Sequence, residues 1–137
     1  MSSDFYTIRG YEQLNQGEIS HTMEDYLEMI CRQIKEMNYI RVNQLACLLN
    51  VQPSSASKMA TKLREKGMIE FEPYGVIQLT EHGRELGEYL LYRHEMLHRL
   101  FCSINHTTNE LELVEKIEHY FNKETLHNIE IYLNRQT

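Results

Sequence analysis

Proline and glycine are scarce: two prolines and six glycines punctuate 137 residues. Long stretches carry neither, which favours helices over a β-sandwich. Cysteine is also sparse. Cys31, Cys47 and Cys102 stand far apart with no CxxC pair, which argues against a disulfide framework and fits free thiols in a reducing cytoplasm. No apolar run approaches the roughly 18 residues that a membrane span needs. The first ten residues include Asp4 and Arg9 and no apolar core, so no secretion signal is expected. What is present is a 42% hydrophobic fraction, enough for a core in one compact unit or two small ones and too much for wholesale disorder.

The net charge of −6 argues at first against a nucleic-acid partner. Its distribution reverses that inference. Between Arg41 and Lys66, five cations (Arg41, Lys58, Lys62, Arg64, Lys66) face Glu65 alone, a net of +4 that leaves −10 for the rest. A basic reading surface on an acidic body has this asymmetry, although a basic helix is more often just a solvated face.

The chain opens with a polar arm, residues 1–21, in which Phe5, Tyr6 and Tyr11 are scattered. From Thr22, a plausible N-cap, to about Met37, Tyr26, Leu27, Ile30, Ile34 and Met37 fall at helical spacing. A second helix is expected over Val42 to Leu49. After the turn Asn50-Val51-Gln52, Pro53 opens a third helix that ends at about Lys66, with Gly67 as its C′ glycine. Met68 to Phe71 and Val76 to Leu79 read as strands of a hairpin around Glu72-Pro73-Tyr74-Gly75. Thr80 then caps a long helix to about Ser103, with Leu86, Leu90, His94, Leu97 and Phe101 along one face. Two shorter helices follow, roughly Asn109 to Phe121 and Lys123 to Asn134. The order predicts a mainly α protein: a winged helix-turn-helix over 22–80, with the Pro53 helix in the major groove and the hairpin as wing, and a helical unit over 81–137.

On the Pro53 helix, Gln52, Pro53, Ser54, Ser55, Ser57, Lys58 and Lys62 occupy the first turns. Short hydroxyls permit close approach to phosphates, and the helix N-terminus favours anions. Gln52, Ser54 and Ser55 suit base edges, and Lys58 and Lys62 suit phosphates. Arg41 and the wing's Tyr74 complete the candidate DNA contacts. The bland alternative is a capped amphipathic helix with solvated lysines.

Three separated segments each place hard ligands on one helical face. Asp25 and Glu28 are i and i+3; Glu115, Glu118 and His119 form E-x-x-E-H; His94 stands on an apolar stripe, where an imidazole needs a partner. Singly, each has an ordinary explanation: acids in a first helical turn, a solvated face, a core histidine. Together, four carboxylates and two imidazoles match the inventory of a two-metal site in a helical body. Oxygen-rich ligation with added nitrogen suits Mn²⁺ or Fe²⁺ better than structural Zn²⁺. Cys31, three residues after Glu28, reads as a buried thiol.

The sequence resembles the diphtheria-toxin-repressor family of metal-activated transcriptional repressors, specifically its short branch, the manganese transport regulators. The stretches that carry the resemblance are Met23-Glu24-Asp25-Tyr26-Leu27-Glu28, Val51-Gln52-Pro53-Ser54-Ser55-Ala56-Ser57-Lys58-Met59, Tyr92-Arg93-His94-Glu95 and Glu115-Lys116-Ile117-Glu118-His119. They run in family order and cover about residues 22–133. The resemblance implies that Asp25, Glu28, His94, Glu115, Glu118 and His119 are the metal ligands. Iron-type members have methionine where this chain has Asp25 and cysteine where it has Glu115, so carboxylates at both positions look like the manganese branch. It also implies two Mn²⁺ per subunit, with Fe²⁺, Co²⁺, Zn²⁺ or Cd²⁺ as alternatives in vitro. The implied partners are a second copy of the chain and a palindromic double-stranded operator of metal-uptake genes. Neither a membrane nor an organic substrate is expected. The arm is longer than in the shortest members, and a third, SH3-like domain is not expected.

The same resemblance implies that the helices after Ser103 make much of the dimer interface, for which Leu111, Val114, Ile117, Phe121, Leu126, Ile129 and Leu133 offer apolar contacts. Two rival functions are a di-metal hydrolase, which would leave the basic helix and wing without a purpose, and a winged-helix regulator gated by an organic ligand. An iron- or zinc-responsive repressor is the alternative within the family.

Overall fold

In the computed structural model, residues 19–72 and 75–136 are described. They form six α-helices and one two-stranded sheet: α1 (His21–Met37), α2 (Val42–Leu49), α3 (Pro53–Glu65), β1 (Ile69–Glu70), β2 (Gln78–Leu79), α4 (Glu81–Asn105), α5 (Leu111–Ile117), a 3-10 turn (Glu118–Tyr120) and α6 (Lys123–Arg135). The chain is mainly α, as the scarcity of glycine and proline predicts.

Local chemistry sets most boundaries. The cap of α1 is Ser20, not Thr22: its hydroxyl accepts from the Met23 N–H at 3.2 Å. Neighbouring Ile19 packs against the core, and that contact places the start of the helix two residues before the expected one. Pro53 occupies the first turn of α3. At the other end Gly67 adopts φ +74°, while its N–H reaches the Arg64 carbonyl and the Met68 N–H reaches that of Leu63. These paired bonds close the helix and need the left-handed glycine. Thr80 caps α4 by accepting from the Gly83 N–H, and its hydroxyl reaches back to the Gly67 carbonyl at 2.6 Å. Gly83 has its own reason: a Cβ there would lie 1.8 Å from the Met68 carbonyl oxygen.

The hairpin is antiparallel, with Ile69 opposite Leu79 and Glu70 opposite Gln78. A further bridge joins Val76 to Arg41, and the Ile77 N–H donates to the Ile40 carbonyl. The base of the wing is thus tied to the start of α2. The tip with Pro73 and the candidate contact Tyr74 lies outside the described residues.

Two apolar cores are stacked along α4. The first gathers Leu27, Ile30, Leu45, Ala60, Leu63 and Ile69 with Leu90. The second gathers Met96, Leu97, Val114 and Leu126. Between Leu90 and Met96, α4 carries Arg93 and His94, both buried. The expected interface residues Val114, Leu126 and Leu133 are buried within this same chain, so they are core and not free for a partner. The amphipathic pattern that suggested an interface is satisfied internally. Leu111, Ile131 and Tyr132 remain exposed in this region. The expected helix from Asn109 to Phe121 is shorter, ending at Ile117 in the 3-10 turn.

Candidate metal centre and nucleic-acid interface

Helices α1 and α4 approach each other at Gly87, where an added Cβ would meet the Cys31 side chain at 2.9 Å. Cys31 is accordingly buried packing. Moving along both helices from this contact, Glu28 faces His94 and Glu24 faces Arg93. Relative to the Cys31–Gly87 contact, both pairs have lower numbers on α1 and higher numbers on α4, so the helices run antiparallel. The same geometry carries three carboxylates of α1, Glu24, Asp25 and Glu28, to the layer between the two apolar cores. From the other side, α5 and the 3-10 turn bring Glu115, Glu118 and His119.

Four side chains converge. Ligand atoms of Glu28, His94, Glu115 and Glu118 all lie within 4.8 Å of one another. The His94 Nδ1 stands 3.6 Å from Glu28 Oε2, 3.7 Å from Glu115 Oε1 and 3.6 Å from Glu118 Oε1. These separations are too long for good hydrogen bonds. They match two ligands that share a cation, which at about 2.2 Å from each sets them roughly 3–3.6 Å apart. Among the described residues, His94 Nδ1 and both carboxylate oxygens of Glu118 are buried with no hydrogen-bond partner. Orphaned buried acceptors are costly, and a divalent cation would satisfy all three. Three carboxylates with one imidazole are hard donors. The residues present therefore fit Mn²⁺ or a similar ion.

The remaining two predicted ligands form an adjacent pair. His119 Nε2 lies 2.9 Å from Asp25 Oδ1. Two residues that sequence reasoning missed complete this part. Glu24 lies 2.7 Å from His119 Nδ1, and the buried Arg93 guanidinium reaches Glu24 at 3.4 Å and Glu118 at 4.0 Å. Both missed residues fall inside motifs quoted for their neighbours, Asp25 and His94. A charged residue at a buried position of a helix with one apolar face is the signal that could have found Arg93.

The charges are strongly coupled. Burial, then the facing Glu118 and Glu115, pushes Glu28 up to about 9, so it holds a proton at neutral pH. Partial burial and Glu118 also raise Glu115. Burial works the same way on Glu118, but the facing His94 and Glu28 outweigh it and hold Glu118 below the ordinary carboxylate range. For His119, burial disfavours the charged form, yet its bonds to Asp25 and Glu24 raise it to about 9. A cation entering this layer must displace protons.

On the opposite side of the first core, α3 buries Ala56, Ala60 and Leu63 and exposes Gln52, Pro53, Ser54, Ser55, Ser57, Lys58 and Lys62. Arg41 is exposed as well. An open groove of about 460 Å³ runs between α3 and the wing, lined by Arg41, Asn43, Ser57, Thr61, Arg64 and Phe71. The Arg64 guanidinium sits 4.6 Å above the Phe71 ring. Asn43 and Thr61 were not among the expected contacts; the groove that joins them to Arg41 is assembled only by the fold.

Residues 18–77 match the family described as iron dependent repressor, N-terminal DNA binding domain. The HTH-type transcriptional regulator MntR of Geobacillus kaustophilus (strain HTA426) is 40% identical over 100 residues, which is 72% of this chain and 71% of that protein. The chain belongs to the iron dependent repressor family of transcriptional regulators. MntR of Geobacillus thermodenitrificans (strain NG80-2) is similar to the same degree, at 40% over 100 residues. As an iron dependent repressor family member the chain is a DNA-binding regulator and not an enzyme. The fold is similar to that of the manganese regulator SloR, with a TM-score of 0.68 at 24% identity over 82% of this chain and 53% of that one. It is also similar to T. acidophilum IdeR, with a TM-score of 0.65 at 24% identity over 77% and 51%. The chain thus spans about half the length of these solved relatives. None of the described helices is long and apolar enough to cross a membrane.

Proposed function

We propose that this protein is a Mn²⁺-responsive transcriptional repressor in which Asp25, Glu28, His94, Glu115, Glu118 and His119 hold the metal and α3 reads DNA. The observation that carries the reading is the convergence of Glu28, His94, Glu115 and Glu118 within 4.8 Å, with buried acceptors left unsatisfied. The names of the relatives, a manganese regulator and MntR, agree with the hard donor set. Six candidate ligands suit two ions per subunit; Fe²⁺, Co²⁺, Zn²⁺ and Cd²⁺ have the ligand preferences to compete in vitro.

A divalent cation supplies the positive charge that lets Glu28, Glu115 and Glu118 be ionised together. The chain's residues do the rest. Glu28 and Asp25 belong to α1, which packs into the first core with α2 and α3. Glu115, Glu118 and His119 belong to the unit that follows α4. Without compensation, the facing carboxylates repel one another, and the proton held by Glu28 relieves only part of that repulsion. Once compensated, the carboxylates draw α1 towards the 3-10 turn and select one placement of α3. We take residues 22–80 as the DNA-reading unit and 81–137 as the unit that pairs two copies, with Leu111, Ile131 and Tyr132 supplying exposed apolar surface. In a homodimer the two α3 helices must stand one DNA turn apart, about 34 Å, to fit a palindrome. The regulated genes on this reading govern metal uptake, in the cytoplasm. Gln52, Ser54 and Ser55 address base edges, while Lys58, Lys62, Arg41 and Ser57 address the backbone, with Pro53 setting the helix start and Tyr74 the wing contact.

Binding to a palindromic operator, titrated with Mn²⁺ and then with chelator, tests the proposal. Binding that saturates with Mn²⁺ and collapses on chelation is expected; binding indifferent to both overturns it.

A further inference from the structure

We propose that Glu24 is a positioning residue for the metal site: it fixes a hydrogen on His119 Nδ1, and so leaves Nε2 as the ring nitrogen that faces a cation beside Asp25. The proposal rests on the reading of His119 as a ligand.

The geometry is specific. A nitrogen 2.7 Å from a carboxylate oxygen must carry hydrogen, because two facing lone pairs at that distance repel. The Arg93 Nη2 also lies near Nδ1, but at 3.3 Å, and the much shorter Glu24 contact makes Nδ1 a donor. The opposite nitrogen, Nε2, meets Asp25 at 2.9 Å and by the same argument carries a hydrogen in the metal-free protein; that is the hydrogen a cation beside Asp25 would replace, while Glu24 keeps the one on Nδ1. Consecutive residues of α1 thus grip opposite edges of one imidazole. Glu24 is itself held. Both terminal nitrogens of Arg93 lie 3.4–3.5 Å from its carboxylate, and the Arg93 side chain is only 3% exposed. The ring plane of His119 is set independently by His21, whose ring stacks on it at 4.6 Å and 9°. With the plane fixed by stacking, the remaining freedom is a half-turn about the Cβ–Cγ bond, which would put Cδ2 in place of Nδ1 and Cε1 in place of Nε2, and the Glu24 bond holds the ring against it. A metal-bound histidine generally has its other nitrogen tied to a carboxylate or carbonyl in this way. Arg93 extends the effect: one guanidinium touches Glu24 and Glu118, so the orientation of His119 is linked to the buried carboxylate of the four-residue cluster.

The test uses the full chain. Mn²⁺ affinity is measured for wild type, Glu24→Gln, His119→Ala and the double variant, and ¹⁵N–¹¹³Cd couplings are read from the ¹¹³Cd-loaded wild type. Glu24→Gln is expected to weaken Mn²⁺ by about 10-fold or more. In the His119→Ala background the same change is expected to matter by less than about 2-fold, since it acts through the missing ring. Cadmium is expected to couple to His119 Nε2 with Nδ1–H retained. Equal losses from Glu24→Gln in both backgrounds, no loss in the wild-type background, or coupling to Nδ1 overturns the positioning role. If His119→Ala alone leaves Mn²⁺ affinity unchanged and no coupling to its ring is seen, the ligand reading itself fails, and the proposal with it.

Discussion

The exposed face of α3, which we propose reads DNA, and the layer between α1, α4 and the 3-10 turn are both polar, but they differ in surroundings. Ser54, Ser55, Lys58 and Lys62 stand in water. Glu28, Arg93, His94 and Glu118 are buried between two apolar cores. A solvated side chain keeps its hydration in either state, so its replacement changes one contact. A buried ionisable group has no water to fall back on, and its replacement changes every partner it shares. Independent small effects are therefore expected on α3, and large coupled ones in the layer.

The largest break should come from Glu118→Gln, which preserves shape and removes the fully buried charge. Mn²⁺ affinity is expected to fall by about 100-fold, and the Mn²⁺-dependent gain in operator binding with it. Weak, salt-sensitive DNA binding should persist, because α3 is untouched. Gel-shift and Mn²⁺ titrations of this variant decide the matter; a normal metal response would remove Glu118 from the site.

A smaller change should follow from replacing Asp25 by Met and Glu115 by Cys together. Softer donors should move activation from Mn²⁺ towards Fe²⁺, Co²⁺ or Zn²⁺, by about 10-fold in relative affinity. Operator binding assayed with each metal checks the ranking, and an unchanged order would refute it.

pH sharpens the comparison further. Glu28 is raised from 4.5 to about 9, and His119 from 6.5 to about 9. Both take up protons on folding of the metal-free chain. Their stabilisation is complete below their unfolded values and is lost as pH rises towards 9. The melting temperature of the metal-free protein should therefore fall between pH 6.5 and 8.5. The increment from saturating Mn²⁺ should grow over the same range, since bound metal no longer competes with those protons. Glu28→Gln should flatten both trends. Calorimetry of the two forms gives the answer; parallel pH profiles would contradict the assignment.

The smallest effects belong to α3. Lys58→Ala and Lys62→Ala should each reduce the salt slope of DNA binding by about 0.9, uniformly across sequences. They should leave the Mn²⁺ affinity of the free protein alone. Gln52→Ala or Ser54→Ala should instead alter discrimination among operators, by about 1–3 kcal/mol at a contacted base pair. An unchanged salt slope would move the reading surface elsewhere.

The same contrast explains what was legible in the sequence. α2, the start of α3 at Pro53, the Gly67 stop and the Thr80 cap follow from short-range chemistry, and each lies where the pattern predicts. Ser20 displaced Thr22 as cap because Ile19 docks on the core, a tertiary contact that no local preference encodes. The E-x-x-E-H motif was visible, but its change from α5 to the 3-10 turn at Glu118 was not. Glu24 and Arg93 lie 69 positions apart, and no periodicity links them; only the antiparallel packing of α1 on α4 at Gly87 brings them together. Apolar spacing in α5 and α6 likewise could not distinguish the chain's own core from a partner's surface, and Val114, Leu126 and Leu133 proved to be core.

The central claim is that the buried layer and α3 share one equilibrium, and calorimetric titration of Mn²⁺ into the protein with and without a saturating operator tests it most directly. Coupling is reciprocal, so operator should tighten Mn²⁺ binding by the same factor per binding cycle by which Mn²⁺ tightens operator binding, about 5–150-fold or 1–3 kcal/mol. Equal Mn²⁺ affinity in the two titrations, with normal operator binding in chelator, would show that the layer is not the switch.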